Sequence, residues 1–423
     1  MKIINYNNQG DLIYTEKLSN GLSVYMFNKE TTDNFYVTIG VKYASKVLKY
    51  KKDNIVYNVT PGIAHFLEHR VMDFTNDKTI SNKIESLGSF TNAYTSYDGT
   101  NYNISGSKNI KDNIEILLEK VFSSKFTKES VENEKGIIIE EIGMTNDRAN
   151  TVLWDRADDN LFFNSYIKNS ILGTIDDVKS ITYKELKRVY NDFYVPSNMF
   201  IVVVGNFNKE ETLDTIKNYF KDKTYKLFTS KVLKPREKEQ VKINYEEIEY
   251  NIEKQRFYYS IKIHSKYFDK IKPIYILKYI ELVLGTNFGE FSDFYTENDK
   301  KYLFTNFSTS SYKIDNYYVI NIAAVSDHSK DLIEKIKEKF KNLIVTKEDL
   351  IRYKRLSISW IITLCDDMFD VEELLSSTLY SNNKFKNKEK ELIDYLNIED
   401  TNKVIKVLSK MDNTSILKVN PKK

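Results

Sequence analysis

Apolar and polar positions alternate along residues 35–41, placing Phe35, Val37, Ile39 and Val41 on one side, after two further strand-like segments at 12–18 and 22–28. A period of two predicts half-buried strands, and Asn20-Gly21 between the first two predicts a hairpin turn. The pattern then changes to a helical period. Thr60-Pro61-Gly62 opens an apolar-periodic stretch, so a helix is expected over 63–74 with Thr60 as its N-cap and proline at its first position. A helix over 79–87, strand character over 90–105 and helices over 110–122 and 128–145 come next. A helix over 182–194 stops at Pro196-Ser197-Asn198, and the wholly apolar run 199–204 reads as a strand ending at Gly205.

The second half repeats this order. A strand over 257–264, a helix over 274–284, strands over 303–308 and 317–325, helices over 332–343 and 347–364, and a final helix and strand lie over the first half. Phe126-Thr127-Lys128-Glu129 and Val345-Thr346-Lys347-Glu348 each open a long helix after a shorter one, which points to an internal duplication. The expected fold class is therefore α+β, with two homologous domains, each a mainly antiparallel sheet packed with helices. The expected domains are 1–220 and 243–423, joined by a basic, apolar-poor linker at 221–242 around Pro235.

Length and composition narrow the function classes. The 423 residues suit about two or three domains. A single cysteine, Cys365, excludes an intrachain disulfide and a multi-cysteine zinc site and fits a reducing, cytoplasmic location. Cys365 itself reads as buried filler. The first residues hold no apolar core of signal-peptide length and run into Asn7-Asn8-Gln9-Gly10. No apolar run approaches the roughly 20 residues of a membrane span. Sixty-three basic and sixty acidic residues are interspersed, so the net charge of +3 creates no field for nucleic acid.

The chain has four histidines, and two of them stand in His65-Phe66-Leu67-Glu68-His69. One helical turn apart, both imidazoles project from one face and can bind one divalent ion such as Zn²⁺. Glu68 lies close to that face, where its carboxylate can hold a water and take its proton. This is the inverted zinc-peptidase signature. The competing structural reading is a histidine pair satisfied by hydrogen bonds, but Ile63, Phe66, Leu67 and Val71 surround the pair and make unpartnered imidazoles costly. With no cysteine nearby, a carboxylate must supply the third ligand. On the helix over 128–145, Glu134 and Glu141 share a face with Ile138, whereas Glu132 and Glu140 point elsewhere. Glu141 is the expected ligand and Glu134 its supporting carboxylate. His264 and His328 have no partner at ligand spacing.

These motifs stand beside Asn20-Gly21-Leu22, Gly62-Ile63-Ala64, Gly88, Asn92-Ala93-Tyr94-Thr95, Thr100, Met144, Gly173 and Tyr194-Val195-Pro196-Ser197-Asn198 before Val202-Val203-Val204-Gly205. Together they resemble the pitrilysin/insulinase-like zinc peptidase (inverzincin) family, in its bacterial two-domain processing-peptidase branch. The resemblance implies one Zn²⁺ per chain on His65, His69 and Glu141, with Glu68 as general base and Glu134 in support. It also implies that Asn92, Ala93, Tyr94 and Thr95 form a sheet edge that pairs with an extended substrate peptide, Asn92 hydrogen-bonding it. The implied activity is that of a zinc metalloendopeptidase acting on peptides or unfolded segments, with processing of a precursor peptide as one use.

The second half departs from the family pattern. Glu141 falls opposite Trp360 and Glu134 opposite Tyr353, and the helix over 274–284 has no histidine, so this half is expected to bind no metal. Family members that cleave peptides usually carry an Arg and a Tyr in a second-half loop, yet residues 294–304 contain no arginine. The expected partner is a homologous subunit supplying that pair and completing a clamshell of which this chain is half, a heterodimer ahead of a homodimer. A non-catalytic scaffold or peptide-binding subunit is the rival reading.

Overall fold

The apolar run at Met199–Gly205 is a strand buried on both faces, which is why its sequence does not alternate. Met199, Ile201 and Val203 face one core, and Phe200, Val202 and Val204 face another. In the computed structural model, which describes residues 1–5, 12–73, 78–382 and 389–422, this strand is β9 and lies inside a seven-stranded sheet. The sheet also holds β1 (Lys2–Asn5), β2 (Leu12–Lys17), β3 (Ser23–Asn28), β4 (Phe35–Val41), β7 (Phe90–Thr95) and β8 (Thr100–Gly106). Its order is β1-β2-β3-β9-β4-β8-β7, antiparallel except at β3/β9. A small sheet is formed by β5 (Lys49–Lys52), β6 (Ile55–Asn58) and β10 (Lys231–Val232). The stretch 90–105, read as strand from sequence, is a hairpin of β7 and β8 closed by a turn at 96–99.

The second sheet orders β11 (Tyr245–Tyr250), β15 (Thr414–Pro421), β12 (Arg256–His264), β14 (Tyr317–Val325) and β13 (Asn306–Ile314), with β11 and β15 parallel and the other pairs antiparallel. This repeats β3-β9-β4-β8-β7 strand for strand, pair for pair. The fold is α+β, and the duplication is written in its topology. Helix starts repeat as well. Thr127 and Ser130 exchange hydrogen bonds at the start of one long helix, as Thr346 and Asp349 do at the start of its counterpart.

The chain divides into two compact units that are discontinuous in sequence. One comprises Met1–Met144, Asn169–Lys234 and Thr363–Lys386, the other Thr145–Lys168, Pro235–Ile362 and Asn387–Lys423. The crossing at Lys234/Pro235 falls inside the expected linker 221–242, but two further segments are traded between the halves. Helix Met368–Asn382 sets Val371, Leu375 and Leu379 against Phe27, Phe200, Val202 and Val204 in the first unit. Helix Ala149–Leu161 sets Leu153 and Ala157 against Tyr258, Leu417 and Val419 in the second. Cys365 is buried just beyond helix Lys347–Leu364.

The site is built on α1 (Ile63–Val71) and α4 (Lys128–Asn146), with α2 (Lys78–Ser86) and α3 (Ile110–Phe122) between them in the chain. The start of α1 differs from the sequence expectation. Thr60 and Pro61 lie in the preceding turn, and the N-cap is Gly62 in the left-handed conformation with φ 88°. Thr60 instead gives its N–H and hydroxyl to Glu185 at 3.1–3.2 Å, which pins the turn. The expected helix end, Phe74, and the segment Asn7 to Gly10 lie outside the described residues.

A Cβ on Gly62 would stand 2.4 Å from the Leu172 carbonyl oxygen, and one on Gly173, φ 74°, would stand 2.8 Å from the Pro61 oxygen. Two glycines packed back to back therefore set the entry to α1. Gly62→Ala combines about 1–2 kcal/mol of left-handed strain with about 1–3 kcal/mol of overpacking. The expected outcome is a clear drop in the melting temperature of the first unit, read by scanning calorimetry.

Candidate active site

α1 is apolar where it meets the core: Ile63, Phe66, Leu67 and Val71 are buried. On the remaining face His65, Glu68 and Arg70 are also buried, with His69 partly open. The His65 and His69 rings lie 4.5 Å apart, centroid to centroid. From α4, Glu141 brings Oε2 to 3.6 Å from His65 Nε2 and 3.3 Å from His69 Nε2. The three ligand atoms lie within 4.8 Å of one another, and no other such group of His, Cys, Asp or Glu occurs among the described residues.

These separations test whether the donors fit zinc. Tetrahedral ligands at about 2.0–2.1 Å from an ion are about 3.3–3.4 Å apart, close to the two measured distances. The donor set of two imidazole nitrogens and one carboxylate is also one that zinc takes, and Glu141 is more open than either histidine, leaving room at the outer side. Glu141 is held below the usual carboxylate range by its hydrogen bond to His65, which outweighs desolvation, and by the charge of both histidines.

Glu134, one turn of core-facing α4 before Ile138, is buried and holds His69 from behind. Its Oε1 is 3.0 Å from His69 Nδ1, and its Oε2 accepts from Arg70 Nη1. Arg70 Nη2 donates to Asp73 Oδ2 at 2.7 Å. Desolvation raises the Glu134 carboxyl, but the bonds from His69 and Arg70 overcome this and leave it lowered. Desolvation likewise pulls the His69 imidazole down, and the Glu134 bond with the charges of Glu68, Glu134 and Glu141 leaves it raised. Bonding at Nδ1 leaves Nε2 turned toward Glu141, whereas His65 Nδ1 is buried without a hydrogen-bond partner among the described residues.

Glu68 does not join that ligand group. Its Oε2 accepts a 2.6 Å hydrogen bond from Thr95 Oγ1 at the end of β7, so Thr95, expected to meet substrate, orients a carboxylate. β7 is the outer strand of its sheet, with β8 as its one partner among the described residues. Ala93 and Thr95 lie on the α1 side of the sheet. Asn92 and Tyr94 alternate to the opposite face, where Tyr94 OH accepts from Asn101. Asn92 is exposed and its Oδ1 accepts from the Ala93 N–H at 2.9 Å. The four side chains therefore do not share one face.

Glu132 and Glu140 are exposed. In the second unit Tyr353 donates to Glu281 at 3.1 Å and Trp360 is 60% exposed, and no ligand cluster forms there among the described residues. Sequence reasoning missed Arg70, Asp73, Glu185 and the Thr95 to Glu68 bond. A signal existed for Arg70: a guanidinium inside the apolar stretch of α1 requires a buried counter-charge.

Residues 58–175 match the family model described as insulinase (peptidase family M16), and residues 180–357 match the peptidase M16 inactive domain. The chain belongs to the M16 peptidase family. An uncharacterized zinc protease, YmfH, of Bacillus subtilis (strain 168) is 33% identical over 228 residues, 53% of each chain. A probable mitochondrial-processing peptidase subunit beta of Arabidopsis thaliana is 30% identical over 165 residues, 38% of this chain and 31% of that one. The chain spans about half or less of the length of the curated relatives it matches. The fold of a putative M16-like peptidase from Alicyclobacillus acidocaldarius matches with a TM-score of 0.90 at 22% identity, over 99% of this chain and 100% of that one. No helix among the described residues is long and apolar enough to cross a membrane.

Replacing Glu134 by Gln weakens its bond to His69 and leaves Arg70 without its main counter-charge. The expected result is zinc affinity lower by about 10–100-fold, measured by competition with a chromophoric chelator, with the circular dichroism of the folded chain retained.

Proposed function

We propose that this chain is a zinc metalloendopeptidase acting on peptides or unfolded segments, with His65, His69 and Glu141 as ligands of one Zn²⁺ and Glu68 as general base. The observation that carries the reading is the convergence of His65, His69 and Glu141 from α1 and α4, with Glu68 held beside them by Thr95. Zinc bound by these residues would supply Lewis acidity, lowering the pKa of a water toward about 7 and polarising a scissile carbonyl. The remaining work belongs to the chain. Glu134 and Arg70 hold His69 in orientation. The Glu68 carboxylate, aimed by the Thr95 hydroxyl, takes the proton of the attacking water and delivers it to the leaving amine. The outer edge of β7 receives the substrate as an added strand, so main-chain hydrogen bonds give affinity with little demand on side-chain sequence.

The relatives named as processing-peptidase beta subunits support maturation of a precursor peptide as one use. The same relatives, with the absence of arginine from 294–304, support a homologous partner subunit that supplies the missing Arg/Tyr pair. Native mass measurement of the purified complex is expected to give a heterodimer, and full activity of an isolated monomer would overturn this part.

Glu68→Gln tests the base. It is expected to retain stoichiometric zinc by metal analysis while peptide hydrolysis falls by about 10²–10⁴-fold. Retained turnover would remove Glu68 from the role.

A further inference from the structure

A buried polar cluster lies under the sheet of the first unit, on the face away from the ligand group. Glu372, Ser376 and Tyr380 follow one another at four-residue intervals and share one face of helix Met368–Asn382. Glu372 is fully buried. Ser376 donates to its Oε1, and Oε2 has no hydrogen-bond partner among the described residues. Above it, Thr38 of β4 and Asn103 of β8 form a cross-strand pair, and Thr38 Oγ1 with both amide atoms of Asn103 are likewise buried and unpartnered. Asn103 in turn stands opposite Asn92 of β7. A hydrogen-bonded link runs beside this pair. The Tyr380 hydroxyl bonds the Asn101 side chain and the Thr100 carbonyl, and Asn101 donates to Tyr94 of β7.

The helix thus reaches the outer strand through one hydrogen-bonded rung, Tyr380 to Asn101 to Tyr94, while Glu372 lies beneath the unbonded Thr38/Asn103 pair, whose Asn103 is the register neighbour of Asn92 on β7. The titratable groups facing Glu372 are Glu373 on its own helix, Tyr36 of β4, Tyr94 of β7 and Tyr380, and β9 presents Phe200, Val202 and Val204. None of these brings a positive charge. Burial pushes the Glu372 carboxyl up to about 7, against the Ser376 bond and the Thr38 hydroxyl that faces it. A neutral carboxyl can donate to the vacant acceptors Thr38 Oγ1 or Asn103 Oδ1, whereas a carboxylate can only accept.

We propose that Glu372 is a positioning residue for the peptide-binding strand: uncharged, it donates into the Thr38/Asn103 pair and fixes β7, and on losing its proton it releases β7. This rests on β7 being the edge that receives the peptide. The sign follows from linkage. A carboxyl whose folded pKa is raised contributes stability that is present below its unfolded value and is lost as pH rises through the folded value, so β7 loosens with increasing pH.

The test uses the zinc-loaded chain in its native complex from about pH 6 to about pH 8. Hydrogen exchange at residues 90–95, corrected for intrinsic rates, is measured without peptide, and KM and kcat are measured with a fluorogenic peptide. Protection of β7 is expected to fall with pH in the wild type and to hold in Glu372→Gln. The ratio of wild-type KM to Glu372→Gln KM is expected to rise several-fold while the kcat ratio stays level. Ser376→Ala, which removes a bond favouring the carboxylate, is expected to move the loss of protection to higher pH, and it decides the matter if the glutamine variant does not fold. Protection and KM that follow the same pH course in wild type and variants overturn the coupling. If no peptide binds at any pH while protection follows the expected pattern, the peptide reading of β7 falls and the coupling of Glu372 to the strand stands.

Discussion

Taking an ion out of water costs several kcal/mol unless an opposite charge and good hydrogen bonds meet it, and two turns of α1 bury His65, Glu68 and Arg70 together. Glu134 is the group that makes this tolerable. One carboxylate neutralises Arg70 and fixes His69, so the charge that stabilises the helix interface also aims the imidazole. The electrostatics of folding and the geometry of the ligand group are the same interaction. Everything else at the site follows from keeping α1 and α4 in register, which the two facing glycines and the Thr60 to Glu185 bonds do from the other end of α1.

What could be read from the sequence was what is local. The four-residue spacing of His65 and His69 and the seven-residue spacing of Glu134 and Glu141 are properties of single helices, and both pairs fall on common faces as periodicity requires. The Thr127 and Thr346 helix starts are local too, and they share one capping pattern. Contacts between distant segments were not legible: Arg70 with Glu134, Thr95 with Glu68, Thr60 with Glu185. Alternation along β7 was visible in principle, yet the four residues 92–95 were grouped by motif, and the sheet separates them onto two faces. At the start of α1 a proline rule pointed to Thr60, but the left-handed Gly62 and the carbonyls packed around it decided the boundary.

The two ligand-bearing helices also show why a duplicated fold need not carry duplicated chemistry. The strand order of both sheets is the same, and the helix Lys347–Leu364 starts as α4 does. Where α4 presents Glu134 and Glu141, the second helix presents Tyr353 and Trp360, a phenol paired with Glu281 and an indole facing outward.

The trade of helices between the two units changes what a half of this chain means. Strand β9 is apolar on both faces because a helix from residues 368–382 covers one of them, and Tyr258, Leu417 and Val419 are covered by a helix from residues 149–161. A gene cut at the linker would give each half a sheet stripped on one side, with Phe200, Val202 and Val204 laid bare in one product. The duplicated halves have become mutually obligate, so the unit of folding, of expression and of inheritance is the pair rather than the repeat.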